Sequence, residues 1–300
     1  MNMQHAVEKR GRRSAGDDAR ERLLDGMPVT ERRLQLAGIS TAVLEGGDGP
    51  PVDLLHGPGE FAALWARVIP DLVTTHRVVA PDLPGHGASE MPEGRLDADR
   101  VFAWLGELIK YTCPSPPALV GHLLGGAIAA RFAAEQGERI SHLVLVDTFG
   151  LGWNRPALRF AIPPITYIAR PTERPRDRFL KQCFVDFDGL RKQMGQSFEP
   201  FGTYALAWAR TPTAKTTLRS LMPEFGMRAI AKADLARIAV ATTLIWGRHD
   251  LQTRLSVAEA ASARYGWPLH VIEGARDDLA FEQAEAFLEA LYAALGSPDR

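Results

Sequence analysis

The 300-residue sequence is short of cysteine, lysine and long apolar runs, and each shortage excludes something. Two cysteines, Cys113 and Cys183, stand far apart and outside any metal-ligand spacing. That excludes a disulfide framework and suits two unpaired thiols in a reducing cytosol. No stretch reaches membrane-spanning length, and the first 35 residues hold no apolar run long enough for a signal peptide. A cytoplasmic protein with no membrane role is the expectation. Lysine is confined to positions 9, 110, 181, 192, 215 and 232, so arginine carries most of the positive charge. There is no excess of either sign: Lys plus Arg number 35, Asp plus Glu 36. Nothing in that balance points to nucleic acid or another polyanion.

What is present is a globular composition, 46% apolar and 24% charged, enough for a large core. Residues 1–30 are charged and weakly patterned, and read as a disordered or loosely helical tail. From about residue 32 short apolar strands alternate with helices. Arg33–Ala37 and Ile39–Glu45 form an expected hairpin turning at Gly38. Val52–Leu55, Arg77–Ala80, Ala118–Val120, His142–Val146, Thr243–Trp246 and Leu269–Ile272 read as buried strands. Phe61–Leu72, Asp97–Tyr111, Leu124–Glu135, Ser256–Tyr265 and Ala280–Ala294 have helical spacing. The fold class is therefore α/β, a doubly wound and mostly parallel sheet covered on both faces. Ligands of such sheets bind beyond the carboxyl ends of the strands, so chemistry belongs in the loops that follow them. Residues 150–235 break the alternation with aromatics and prolines, from Trp153 to Trp208. They read as a helical cap inserted into a core of residues 31–149 and 236–300. Its aromatics serve either as the cap's own core or as the wall of an apolar pocket.

Five motifs in order resemble the α/β-hydrolase superfamily over residues 32–295. Leu54-Leu55-His56-Gly57 resembles the oxyanion loop, and Asp82-Leu83-Pro84-Gly85-His86-Gly87-Ala88-Ser89 the loop after the fourth strand. Val120-Gly121-His122-Leu123-Leu124-Gly125-Gly126 is similar to the nucleophile elbow. Trp246-Gly247-Arg248-His249-Asp250 resembles the acid loop, and Ile272-Glu273-Gly274-Ala275-Arg276-Asp277 the loop that carries the base. The resemblance implies a strained residue with positive φ at the elbow tip, presenting a nucleophile. Here that residue is Leu123, which has no lone pair. The base position holds Asp277, and no histidine follows His270. The acid, Asp250, remains. Of the two oxyanion donors, the Leu124 N–H persists. The other is due just after His56-Gly57, where Pro58 has no N–H and only Gly59 is left to substitute.

These departures argue against ordinary serine-hydrolase chemistry. The expectation is that the chain binds a small apolar molecule without ester hydrolysis. The pocket would be built from His56, Gly57, Pro58, Gly59, His122, Leu123, Leu124, Asp147 and Arg276. The alternative is an enzyme for epoxide opening, hydration or isomerisation that uses Asp250 and Asp277 as a proton-sharing pair, unless Arg248 or Arg276 neutralises it. A third reading is residual hydrolysis by water on a substrate polarised by the Leu124 N–H. The histidines lack a metal spacing and the glycines match no dinucleotide or phosphate loop, so no metal or cofactor is expected. Homodimers are common in this fold, but no segment points to one. Asp53, within an apolar strand, has no functional reading from sequence.

Overall fold

The computed structural model describes residues 14–94, 96–152 and 156–296. Eight strands form one sheet: β1 (Thr30–Leu36), β2 (Ile39–Gly46), β3 (Pro51–Leu55), β4 (Arg77–Pro81), β5 (Ala118–His122), β6 (His142–Val146), β7 (Ala241–Gly247) and β8 (Leu269–Ile272). Their order across the sheet is β1-β2-β4-β3-β5-β6-β7-β8. The hairpin β1–β2 and the β2–β4 pair are antiparallel; the other neighbours are parallel. The hairpin turns through Ala37 (φ 47°) and Gly38 (φ 74°), two successive left-handed residues that match the twist of the flanking strands. The parallel strands are buried on both faces, which is why each reads as a short continuous apolar run. In register, Leu119 and Leu143 point into the apolar layer on one side of the sheet, and Val120 and Val144 into the layer on the other.

Several helices depart from expectation in ways that proline and capping explain. The segment Phe61–Leu72 is two pieces, a 3₁₀ turn at Ala62–Arg67 and a short helix at Ile69–Leu72. Pro70, which lacks an N–H, starts the second piece rather than continuing the first. Ala280–Ala294 divides at Gln283 into Leu279–Glu282 and Ala284–Leu295.

The expected tail is helical over Ala15–Leu24, which favours the helical of its two readings there. Ala15–Leu24 is a helix whose N-terminus is closed by a reciprocal bond pair between Ser14 and Asp17. It lies against the helix Phe198–Ala209, so closely that a Cβ on Gly16 would fall 2.9 Å from the Ala207 Cβ. Arg20 anchors it, reaching Asp82 at 2.9 Å, Glu31 at 3.2 Å and the Tyr204 hydroxyl at 3.0 Å. One buried guanidinium thus ties the N-terminal helix, the core sheet and the cap together. Residues 1–13 lie outside the described residues, as does Trp153.

Between β6 and β7 the chain forms helices from Leu158 to Arg237, among them Glu173–Cys183, Phe187–Met194 and Phe198–Ala209. They cover the carboxyl ends of the strands. The cap's aromatics divide between the two expected roles. Phe184, Phe187 and Phe198 pack on one another. Phe201 packs on Phe281 of the core at 4.9 Å. Among the described residues no helix is long and apolar enough to cross a membrane.

Candidate ligand cavity and its carboxylate end

The elbow survives without its nucleophile. β5 turns directly into the helix Leu124–Gln136 with Leu123 at the tip, held at φ 45° and ψ −103°. A β-carbon at this φ is strained, and the surroundings enforce it. Leu123 N–H donates to the Val146 carbonyl, and its own carbonyl accepts from Ala127 and Phe149. The approach of the helix requires glycine: a Cβ on Gly125 would sit 2.4 Å from the Leu55 oxygen, and one on Gly121 2.5 Å from the Gly126 Cα. The strain is thus kept at a residue that cannot attack.

Leu123, 2% exposed, forms part of the wall of a cavity of about 230 Å³ between sheet and cap. Other walls are Phe179, Leu180, Phe201, Trp208 and Met222. One end is polar, formed by Glu60, Gln252, Asp277 and Asp278. Of the residues expected around a ligand, Pro58, Gly59, Leu123 and Asp277 line this space. His56, Gly57, His122, Leu124, Asp147, Asp250 and Arg276 do not. The reasons are local. His56 is fully buried as a strut between loops, accepting the Leu83 N–H at Nε2 and donating from Nδ1 to the Gly57 carbonyl. His122 sits behind Glu60. Arg276 turns away and donates to the Lys181 carbonyl.

Asp250 and Asp277 are close enough that the Asp250 carboxylate helps to raise Asp277, but the hydrogen bonds of each go to other groups. Asp250 Oδ1 accepts from the Gln252 and Thr253 N–H groups at 2.6 and 3.0 Å, and Oδ2 from the Thr253 hydroxyl. Burial still pushes its pKa up, to about 6, against those bonds. Asp147 is one of its acidic neighbours and accepts the Gly247 N–H at 3.0 Å. Burial, then the Asp250 carboxylate, raise Asp147 well above the carboxylate range. Asp277 instead faces Asp278 and receives the Gln252 amide at 3.2 Å. Both aspartates are driven well above their usual pKa, first by burial and then by neighbouring carboxylates. Arg248 does not offset them, since it lies at the surface in an ion pair with Glu273 at 2.6 Å.

Sequence reasoning missed Glu60, Asp278, Gln252 and Cys183. Glu60 Oε2 accepts the Gly57 N–H at 2.5 Å and lies 3.1 Å from His122 Nδ1. Burial opposes a charged imidazole, but the Glu60 carboxylate outweighs it and lifts His122 to about 9. The consequence for chemistry is direct. The loop that should offer N–H groups to a developing oxyanion has proline at 58 and spends the Gly57 N–H on a carboxylate. That loop therefore has fewer free N–H groups to offer an oxyanion as partners of the elbow's Leu124 N–H.

The sheet order, the elbow and the inserted cap are those of a known family, and its description, "Alpha/beta hydrolase family", matches residues 54–290. The chain belongs to the alpha/beta hydrolase family. It is 31% identical over 223 residues to the pimeloyl-[acyl-carrier protein] methyl ester esterase of Chromobacterium violaceum, covering 69% of this chain and 78% of that one. It is 34% identical over 125 residues to 2-hydroxy-6-oxo-6-(2'-aminophenyl)hexa-2,4-dienoic acid hydrolase of Metapseudomonas resinovorans. That match covers 40% of this chain and 43% of the relative. Among solved structures, 2-hydroxy-6-oxo-6-phenylhexa-2,4-dienoate hydrolase from Rhodococcus sp. strain RHA1 shares the fold. Its TM-score is 0.78 at 23% identity, over 90% of this chain and 99% of that one.

Proposed function

We propose that this family member takes a small, largely apolar molecule with one polar group into the cavity and does not hydrolyse esters through an acyl-enzyme. The observation that carries the reading is Leu123: it occupies the strained tip and walls the cavity. A covalent route needs a nucleophile at that atom position and a base beside it. The cavity supplies apolar contact along most of its surface, and the aspartates supply hydrogen-bond donors at one end. A carboxylic acid kept protonated by burial donates a hydrogen bond to a carbonyl, ether or epoxide oxygen.

A second reading is favoured by that same pair and by the hydrolase names of the relatives. In it Asp277 and Asp278 pass a proton to a bound substrate and take one back, giving hydration, isomerisation or epoxide opening. The two readings share the cavity and divide on turnover.

The test is a cavity-filling substitution. Ala205 lines the cavity. Ala205→Phe should abolish binding of a neutral naphthalene-type fluorescent probe while the melting temperature stays within a few degrees. Probe binding that survives Ala205→Phe in a folded variant would place the ligand elsewhere and defeat the proposal.

A further inference from the structure

We propose that Glu60, His122 and Asp278 bind a divalent cation of the zinc class at the polar end of the cavity, with Asp277 and Cys183 as adjoining donors. One donor atom each from Glu60, His122 and Asp278 lie within 4.8 Å of one another, and so do one each from Cys183, Asp277 and Asp278. Asp278 belongs to both groups. Five donors from four separate segments therefore converge: the loop after β3, the end of β5, the cap helix Glu173–Cys183 and the loop after β8.

His122 is oriented as a ligand would be, with one ring nitrogen held and the other turned to Glu60, where a metal ion would take the place of a proton. Its Nε2 lies 2.6 Å from the Asp277 carbonyl oxygen, which can only accept, so Nε2 carries the hydrogen. In the neutral ring the Nδ1 lone pair then faces the Glu60 carboxylate at 3.1 Å. Two acceptors that close require a proton or a metal ion between or beside them. A ring N–H fixed on a backbone carbonyl, with the other nitrogen turned to a carboxylate-rich site, is the support commonly found behind a ligating histidine.

A second observation is independent of that pair. Asp277 and Asp278 are 2% and 8% exposed, and Oδ1 of each has no hydrogen-bond partner. A buried carboxylate oxygen without a partner is costly, and native structures rarely keep one without a counter-charge. Arg276, the adjacent cation, directs its Nη1 to the Lys181 carbonyl rather than to either carboxylate. A divalent ion would replace the protons that burial otherwise keeps on Asp277 and Asp278, so that its binding releases protons.

The donor types select the ion. Imidazole nitrogen, carboxylate oxygen and a thiol suit zinc and its transition-metal neighbours. Calcium and magnesium prefer all-oxygen sets. Because Glu60 and Asp278 both line the cavity, the ion would keep a coordination position open toward it. The inference does not depend on which apolar molecule the cavity takes.

The experiment is calorimetric titration of the full chain, stripped with EDTA, with zinc chloride, paired with cobalt(II) absorption spectroscopy. The expected result is one ion per chain, with affinity falling at least about 100-fold in Asp278→Asn and in Glu60→Gln. Both substitutions are isosteric and keep the fold testable by circular dichroism. Glu273→Gln, at the surface, should bind as the wild type does. The intense visible bands of low-coordinate cobalt should appear with the wild type and vanish in both variants. Absence of saturable binding, or affinity unchanged in folded Asp278→Asn and Glu60→Gln proteins, would overturn the proposal.

Discussion

Glu60 Oε2 stands 3.1 Å from His122 Nδ1 while His122 Nε2 donates to the Asp277 carbonyl, so one carboxylate decides the charge of the buried imidazole. With Glu60 present, His122 is lifted to about 9. Glu60→Gln removes the largest opposition to burial, and the imidazole pKa should fall, as read by NMR titration. The stability that His122 contributes is full below its unfolded pKa and is lost as pH rises through about 9. Glu60 is held below its usual pKa, because the His122 charge outweighs the burial that opposes it. Its contribution is present above the unfolded value and lost as pH falls through the folded one. Glu60→Gln should therefore cost the most between roughly pH 5 and 8, on the order of 2 kcal/mol in denaturant titrations, and little near pH 10.

Restoring the nucleophile alone should restore nothing. Leu123→Ser puts a hydroxyl at the strained tip, but Asp277 is no base for it. Turnover of p-nitrophenyl esters should stay at the wild-type level. The double variant Leu123→Ser/Asp277→His should gain measurable esterase activity. It should still fall about 100-fold or more short of an intact hydrolase, because Pro58 and Glu60 leave the oxyanion poorly received. A single Leu123→Ser variant with ready turnover would show that the site holds a base that the geometry does not identify.

Arg20 should be worth far more than a surface arginine. It is buried against Asp82, whose side chain is fully buried and also accepts the Ala62 and Ala88 N–H groups. Arg20→Ala leaves that carboxylate without its counter-charge and frees the N-terminal helix from Tyr204. A loss of about 3–5 kcal/mol in urea unfolding is expected. Arg22, on the same helix, should cost less than 0.5 kcal/mol when replaced by alanine.

Asp53 accepts the Cys113 thiol at 3.3 Å, and its other oxygen has no partner. Burial, only partly offset by that bond, pushes it up to about 7. The folded state therefore binds this proton more tightly than the unfolded chain, and stability falls as pH rises from about 4 to 7. Asp53→Asn should raise stability at pH 8 by roughly 2–4 kcal/mol, and the gain should disappear toward pH 4. An equal effect at both pH values would mean that packing, not ionisation, governs the position.

Where backbone geometry depends on a run of neighbours, the sequence was readable. The sheet strands show as short apolar runs because both of their faces are covered. The elbow shows because Gly121 and Gly125 are demanded by backbone contact whatever sits at the tip. Side-chain partnerships across long distances were not readable. Position alone brings Asp250 and Asp277 near each other, and they do interact, but it does not show that Thr253 and two backbone N–H groups take the Asp250 hydrogen bonds. Asp278 stands beside a residue that was singled out and still carried no signal, since its meaning comes from Glu60 and Cys183, which other segments bring to it. The N-terminal helix did leave a trace in Ser14 and Asp17, a capping-box spacing. Its anchor is a charged residue, though, and hydropathy patterning places charged residues outside.

The most direct test of the account is ester turnover set beside ligand binding on the wild-type protein. A series of p-nitrophenyl esters of increasing acyl length would be offered to one sample, and the cavity probe competed by the same compounds in another. The account predicts saturable competition with no burst and no steady-state release of p-nitrophenol above the buffer rate. A burst of p-nitrophenol stoichiometric with the protein, followed by turnover that Asp277→Asn abolishes, would contradict it.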